Sequence, residues 1–88
     1  MANEQILKAH GFIEKPVRSI WVNRNRRMCF SDQVIRDHDK AWLDERLLED
    51  VPEAEFRFHS NRDLTYENCM DILTELGLDL IPVNRSWT

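Results

Sequence analysis

Residues 54–83 read as strand, capped helix and strand in immediate succession, and that β-α-β unit narrows the possible folds more than any other feature. Ala54-Glu55-Phe56-Arg57-Phe58-His59 alternates apolar and polar side chains with period two, the pattern of a half-buried strand. Asn61-Arg62-Asp63 supplies a turn, and Thr65 then stands as an N-cap. Asn68 occupies the capping-box position, shorter than the Glu or Gln preferred there. Cys69, Ile72, Leu73 and Leu76 share the core side of this helix, and Gly77 terminates it. Leu78-Asp79-Leu80-Ile81-Pro82-Val83 is the closing strand; Pro82 lacks an amide hydrogen, so the strand ends there or lies at a sheet edge. A helix of about twelve residues is long enough for a right-handed crossover between parallel strands.

Upstream, Asn3 is a candidate cap for a short helix through His10, with Ile6, Leu7 and Ala9 on its apolar side and Gly11 as its stop. Pro16 resets the chain. Val17-Arg18-Ser19-Ile20-Trp21-Val22 is rich in β-branched and aromatic residues and reads as a strand. Asn23-Arg24-Asn25 forms a turn, and Arg27-Met28-Cys29-Phe30 returns as the second strand of a hairpin. From Asp37 to Asp50 the pattern is helical, capped by Asp37 or Asp39. Leu43, Leu47 and Val51 form its stripe, Trp42 and Leu48 widen it, and Pro52 ends it. An earlier start at Ser31 or Asp32 stays open, because Val34 and Ile35 fit a helix or a strand tail equally well. The order is α-β-β-α-β-α-β. The expected fold is α+β, a small mixed β-sheet with the two main helices on one face. Residues 1–88 form a single domain, with a helix and lead-in over 1–16, the α+β core over 17–84 and a tail over 85–88.

Eighty-eight residues, 42% apolar, close one core but leave little room for a deep, walled active site. The two cysteines, Cys29 and Cys69, form no CxxC pair, which favours free thiols in a reducing compartment over a single bridge. The opening residues lack both a basic start and a long apolar run, and no stretch approaches the ~20 apolar residues that cross a bilayer. The expectation is a cytoplasmic chain without membrane insertion. Charge is uneven: residues 1–30 hold six Lys/Arg against two acids, and residues 31–88 hold six against fourteen. That asymmetry favours self-association or a charged partner.

Several clusters invite chemical readings. His59, Asp63 and Cys69 lie close enough in sequence for a thiol–imidazole pair, but Cys69 falls on an apolar helix stripe, where cysteine is ordinarily a small core residue. Asp37-His38-Asp39 offers metal-ligand types, yet consecutive helical residues diverge, and a helix start explains them better. No cofactor is expected: with only Gly11 and Gly77, a glycine-rich phosphate loop has no material. Lys15, Arg18, Arg24, Arg26 and Arg27 surround Trp21, the composition of a ribbon that grips phosphates and stacks on bases. The net charge of −4 argues against a dedicated nucleic-acid binder. Asp44, Glu45, Glu49, Asp50, Glu53 and Glu55 form an acidic band, a solvated face more readily than a mimic of a nucleic-acid backbone. Trp87, near the chain end, is costly to leave in water and is expected to dock on its own domain or a neighbour.

The stretch from Val51-Pro52-Glu53-Ala54 through Phe56-Arg57-Phe58-His59 to Asn61-Arg62-Asp63-Leu64-Thr65-Tyr66 resembles the soluble domain of the ExbD/TolR family. There, a helix ends near a Pro-Asp-Ala-type turn, an alternating strand follows, and a Val-Pro-Tyr segment enters the second helix. Glu75-Leu76-Gly77-Leu78-Asp79-Leu80-Ile81-Pro82-Val83 stands where that helix closes before the final strand, and the likeness covers about residues 17–84. The resemblance implies a sheet-and-helix module that dimerises and contacts other proteins. Family members also carry an amino-terminal transmembrane helix with a proton-carrying aspartate; the short polar helix here gives proton-driven transduction no counterpart. Asn61 replaces the acid expected in the strand-ending turn.

The leading expectation is therefore a protein–protein interaction module, homodimeric, binding through a sheet edge or its hairpin, and not an enzyme. A compact inhibitor of a host protein, encoded by a phage or mobile element, fits the same features. The candidate binding residues are Arg18, Trp21, Arg24, Arg26, Arg27 and Trp87. The alternatives are nucleic-acid binding through the basic hairpin and a thiol enzyme at Cys69.

Overall fold

The computed structural model describes residues 2–60 and 64–86, the last two through their backbone alone. In chain order, helix α1 spans Asn3–Ala9, strand β1 Ile13–Lys15, a 3-10 turn Pro16–Arg18, β2 Ile20–Asn23 and β3 Met28–Ser31. Helices α2 (Asp32–Asp37) and α3 (Lys40–Leu47) follow, then β4 (Glu55–Ser60), α4 (Tyr66–Leu76) and β5 (Ile81–Ser86). The strands make one five-stranded sheet in the order β1-β2-β3-β4-β5. β1/β2 and β2/β3 pair antiparallel, whereas β3/β4 and β4/β5 pair parallel, so the sheet is mixed and the fold is α+β. None of the described helices is long and apolar enough to cross a membrane.

The closing unit follows the sequence except in its last strand, which begins at Ile81 rather than Leu78 and runs through Pro82 to Ser86 as an edge strand. Thr65 Oγ1 accepts from the Asn68 amide at 3.1 Å and starts α4. At its end, Gly77 takes φ +70°, and Leu78 N–H and Gly77 N–H bond to Leu73 O and Thr74 O. That is a Schellman closure, which a residue without a Cβ makes without strain. Gly11 closes α1 in the same way, with φ +86° and Phe12 N–H on Leu7 O. The expected turn at Asn61-Arg62-Asp63 lies outside the described residues.

Several expectations need correction. First, Val17 and Arg18 do not belong to a strand. Pro16 sets a 3-10 turn, Ser19 adopts a left-handed conformation at φ 55°, and β2 begins only at Ile20. The preceding residues Ile13–Lys15 supply an additional edge strand paired with Ile20–Val22. Second, the helix over 37–50 is two helices. Ser31 Oγ caps α2 by accepting from Val34 N, His38 is extended at φ −119° and ψ 157°, and Asp39 restarts the chain by accepting from Trp42 N at 3.0 Å. Asn3, in turn, does not cap α1; its Nδ2 donates to Ile35 O and His38 O and ties down the end of α2.

Third, the helices cover both faces of the sheet. Opposed residues on neighbouring strands share a face. Val22, Cys29 and Phe58 are aligned across β2, β3 and β4, and with Ile20 and Phe56 they pack against Cys69, Ile72 and Leu73 of α4. Trp21, Met28 and Phe30 point the other way, onto Leu7 of α1, Val34 and Ile35 of α2, and Leu43 and Leu47 of α3. The physical cause is visible in β2 and β3: every residue of both strands is buried, so a single helical layer would leave Trp21 or Val22 in water. Because β3, β4 and β5 succeed one another in one direction, connections over opposite faces have opposite hands. One of the two therefore departs from the usual right-handed crossover. Leu48, expected on the stripe, is 85% exposed because α3 ends at Leu47.

Candidate interaction groove and the buried polar groups

The basic hairpin is largely consumed by the fold. Trp21 is 2% exposed and donates its Nε1 hydrogen to Asp32 Oδ1 at 2.8 Å, so no base can stack on it. Arg26 Nη1 donates to Leu47 O at 2.7 Å and Arg27 Nη2 to Val51 O at 2.6 Å, satisfying carbonyls at and beyond the end of α3. Arg18 pairs with Glu75 of α4, and that hydrogen bond raises the guanidinium pKa further above its usual value. Arg18 is partly and Glu75 well exposed, so the pair is screened by solvent and adds little stability. Arg24 extends from the turn, exposed and without an ion pair among the described residues. Trp87 lies outside the described residues.

A groove of about 530 Å³ opens beside this hairpin. Ile13 opposes Val22 and so faces the α4 side of the sheet, but α4 stops at Leu76 before reaching β1. Ile13 is left 63% exposed as a result. Val22, Leu76 and Leu78 complete the apolar lining, while Lys15, Arg24 and Glu75 supply charges of both signs. Val17, on the adjoining 3-10 turn, is 100% exposed. Sequence reasoning missed this surface because β1 is three residues long, ended by Pro16, and too short to register as alternation. The one available signal was Ile13, an apolar residue followed at once by Glu14 and Lys15.

The imidazole and the thiol do not meet. His59, 0% exposed, points to the α3 face, stacked on Phe30 at 4.9 Å with Trp42 edge-on at 6.3 Å. Its Nε2 lies 3.5 Å from Glu49 Oε1, and Glu49 also pairs with Arg57. Cys69 is buried on the other face beside Cys29, and both thiols are free. Burial pushes the Cys69 thiol up to about 11, and burial with the Cys69 charge pushes Cys29 higher still. Both are protonated near neutral pH and poor nucleophiles.

The remaining polar groups serve local structure. His38 Nδ1 lies 2.9 Å from Val34 O, and its ring stacks on Trp42 at 4.1 Å; Asp39 is the α3 cap. Among the described residues, no three His, Cys, Asp or Glu side chains converge as metal ligands. The acidic band is partly neutralised within the fold, by Lys40 on Asp44 and Arg57 on Glu49. No protein-family model, curated protein or solved structure matches this chain.

Proposed function

We propose that the chain is a protein-interaction module that receives an extended segment of a partner protein in the groove along β1. The observation that carries this reading is the exposed Ile13, with the half-buried Leu76 and Leu78 beside it in the groove and the fully exposed Val17 on the adjoining turn. A segment with apolar side chains at alternate positions suits such a groove, and the mixed charges of Lys15, Arg24 and Glu75 favour polar residues of both signs beside it. A second copy of the chain is one such partner, in keeping with the dimerisation that the ExbD/TolR resemblance implies. Inhibition of a host protein is a narrower form of the same activity. Nucleic-acid binding has less support, because Trp21 is buried and Arg26 and Arg27 are engaged by backbone carbonyls. A thiol enzyme at Cys69 has less still, given the buried, protonated sulfur.

The test pairs light scattering at tens of micromolar with affinity capture from native extract, using wild type and Ile13→Lys. Ile13 is exposed, so the substitution leaves folding intact. A dimer or a captured protein lost on Ile13→Lys supports the groove. A monomer whose captured proteins are unchanged by Ile13→Lys refutes it.

A further inference from the structure

β1 is the outer strand on the hairpin side of the sheet, and the ladder decides which of its backbone groups face outward. Asp32 N–H bonds to Ser19 O at 2.9 Å, so Ser19, Trp21 and Asn23 turn their backbone groups toward β3. Ile20 and Val22, alternating with them, turn theirs toward β1. Val22 opposes Ile13 and Ile20 opposes Lys15, which makes Ile13 and Lys15 the bonded residues of β1. Glu14, opposite Trp21, turns its N–H and C=O to the free edge. The next outward positions are already used. Phe12 N–H bonds to Leu7 O, and Pro16 has no N–H and gives its carbonyl to Ser19 N–H. Among the described residues of this edge, Glu14 offers the single complete donor–acceptor pair, a template for one residue of an added strand.

The side chains around that pair are exposed and of three kinds. Ile13 and Lys15 lie on the α4 side with Val22 and Ile20, and Glu14 lies on the opposite side with Trp21. β1, β2 and β3 already pair antiparallel, the more stable arrangement per residue. An added antiparallel strand sets one residue directly opposite each of the three, on the same face. Such pairs stabilise when the charges are opposite or both side chains are apolar. The residue facing Lys15 is then acidic, the one facing Glu14 basic, and the one facing Ile13 apolar, where it covers the mouth of the groove. Because the added strand runs against β1, that is also their order in its sequence. β1 of a second copy does not meet these terms, since in this register it sets Glu14 against Glu14 and Ile13 against Lys15.

Resting on the groove reading above, we infer that the β1 edge takes up an antiparallel strand of another protein. That strand is joined through the Glu14 backbone and carries an acidic–basic–apolar triplet.

The test titrates the isotope-labelled full chain with the capped peptide Thr-Asp-Lys-Leu-Thr and with its reversed sequence, read from backbone amide shifts and hydrogen exchange in two-dimensional NMR. The expected result is saturable movement of the Ile13, Glu14 and Lys15 amides at up to about 10 mM of the first peptide, with slowed exchange at Glu14 N–H. Glu14→Lys, an exposed change that leaves folding intact, is expected to weaken binding about fivefold, and the peptide Thr-Asp-Glu-Leu-Thr to recover the loss. Absence of saturation overturns the inference, as does an affinity indifferent to Glu14→Lys or a reversed peptide that binds equally well. Protection of the Glu14 amide that rises with protein concentration without peptide, the sign of a second copy on this edge, overturns it too. If captured proteins are lost on Ile13→Lys while the peptide fails to saturate, the groove reading stands and the triplet falls.

Discussion

At the scale of single residues, burial sets the chemistry more firmly than sequence neighbourhood. His59 and Cys69 are ten positions apart, but the sheet divides them, and each is enclosed by its own cluster. The consequence for the thiols is measurable. A thiol whose folded pKa is about 11, against an ordinary 9.0, is protonated in both states below pH 9, so its burial is fully tolerated there. Above pH 9 the unfolded chain ionises first, and stability falls as pH rises toward 11, by up to ~1.4 kcal/mol per pH unit per thiol. Cys29, raised further, extends that loss to higher pH. Urea unfolding at pH 8 and pH 10.5 is expected to show a steeper decline for wild type than for Cys29→Ala/Cys69→Ala. Iodoacetamide at pH 8 is expected to label the folded protein slowly and the urea-unfolded chain at once; rapid labelling of the folded state contradicts this account and restores the thiol-enzyme alternative.

At the scale of elements, short helices depend on their ends. α3 has only eight residues, too few to persist by propensity alone, and Asp39 at its cap also marks the break from α2. Asp39→Ala is expected to cost ~1 kcal/mol in denaturant unfolding, and Asp39→Ser to recover most of it, since serine accepts the same amide bond. Equal losses for the two would show that charge, and not the cap, matters at this position. The elements also differ in how far the sequence disclosed them. α4 was legible from both ends, because Thr65 and Gly77 act locally through backbone groups within one turn. The α2/α3 break was not, since His38 carries no breaker chemistry and its extended backbone is held from outside by Asn3 on its carbonyl. β1 was hidden for a related reason: three residues gain their strand geometry from pairing with Ile20–Val22, a partner no local pattern names. The hairpin arginines were legible as charges, but their engagement by Leu47 and Val51 carbonyls depends on how α3 comes to rest.

For the molecule as a whole, the one-face expectation overlooked a signal that was present. Ile20-Trp21-Val22 and Met28-Cys29-Phe30 are unbroken apolar runs, the mark of strands covered on both sides, whereas Phe56-Arg57-Phe58-His59 alternates and suggested a solvated face. That face is covered too, with His59 packed on Phe30 and Arg57 paired to Glu49. β3 therefore belongs to two half-cores at once: Met28 and Phe30 to the α1-α2-α3 side, Cys29 to the α4 side. Neither half can dissolve without exposing the back of the strands that the other buries, so the two are expected to unfold together. The residues supply a separate reporter for each side. Trp21 and Trp42 sit in or against the first half-core, and Cys29 and Cys69 in the second. Leu43→Ala and Leu73→Ala, one on each side, are both fully buried and each is expected to cost ~2–5 kcal/mol. In both variants, carrying Trp87→Phe so that Trp21 and Trp42 alone emit, tryptophan fluorescence and thiol labelling across a urea series are expected to give the same midpoint. Separate midpoints, with Leu73→Ala shifting the thiol transition alone, would mean that the α4 layer melts on its own from a sheet that the first layer suffices to hold.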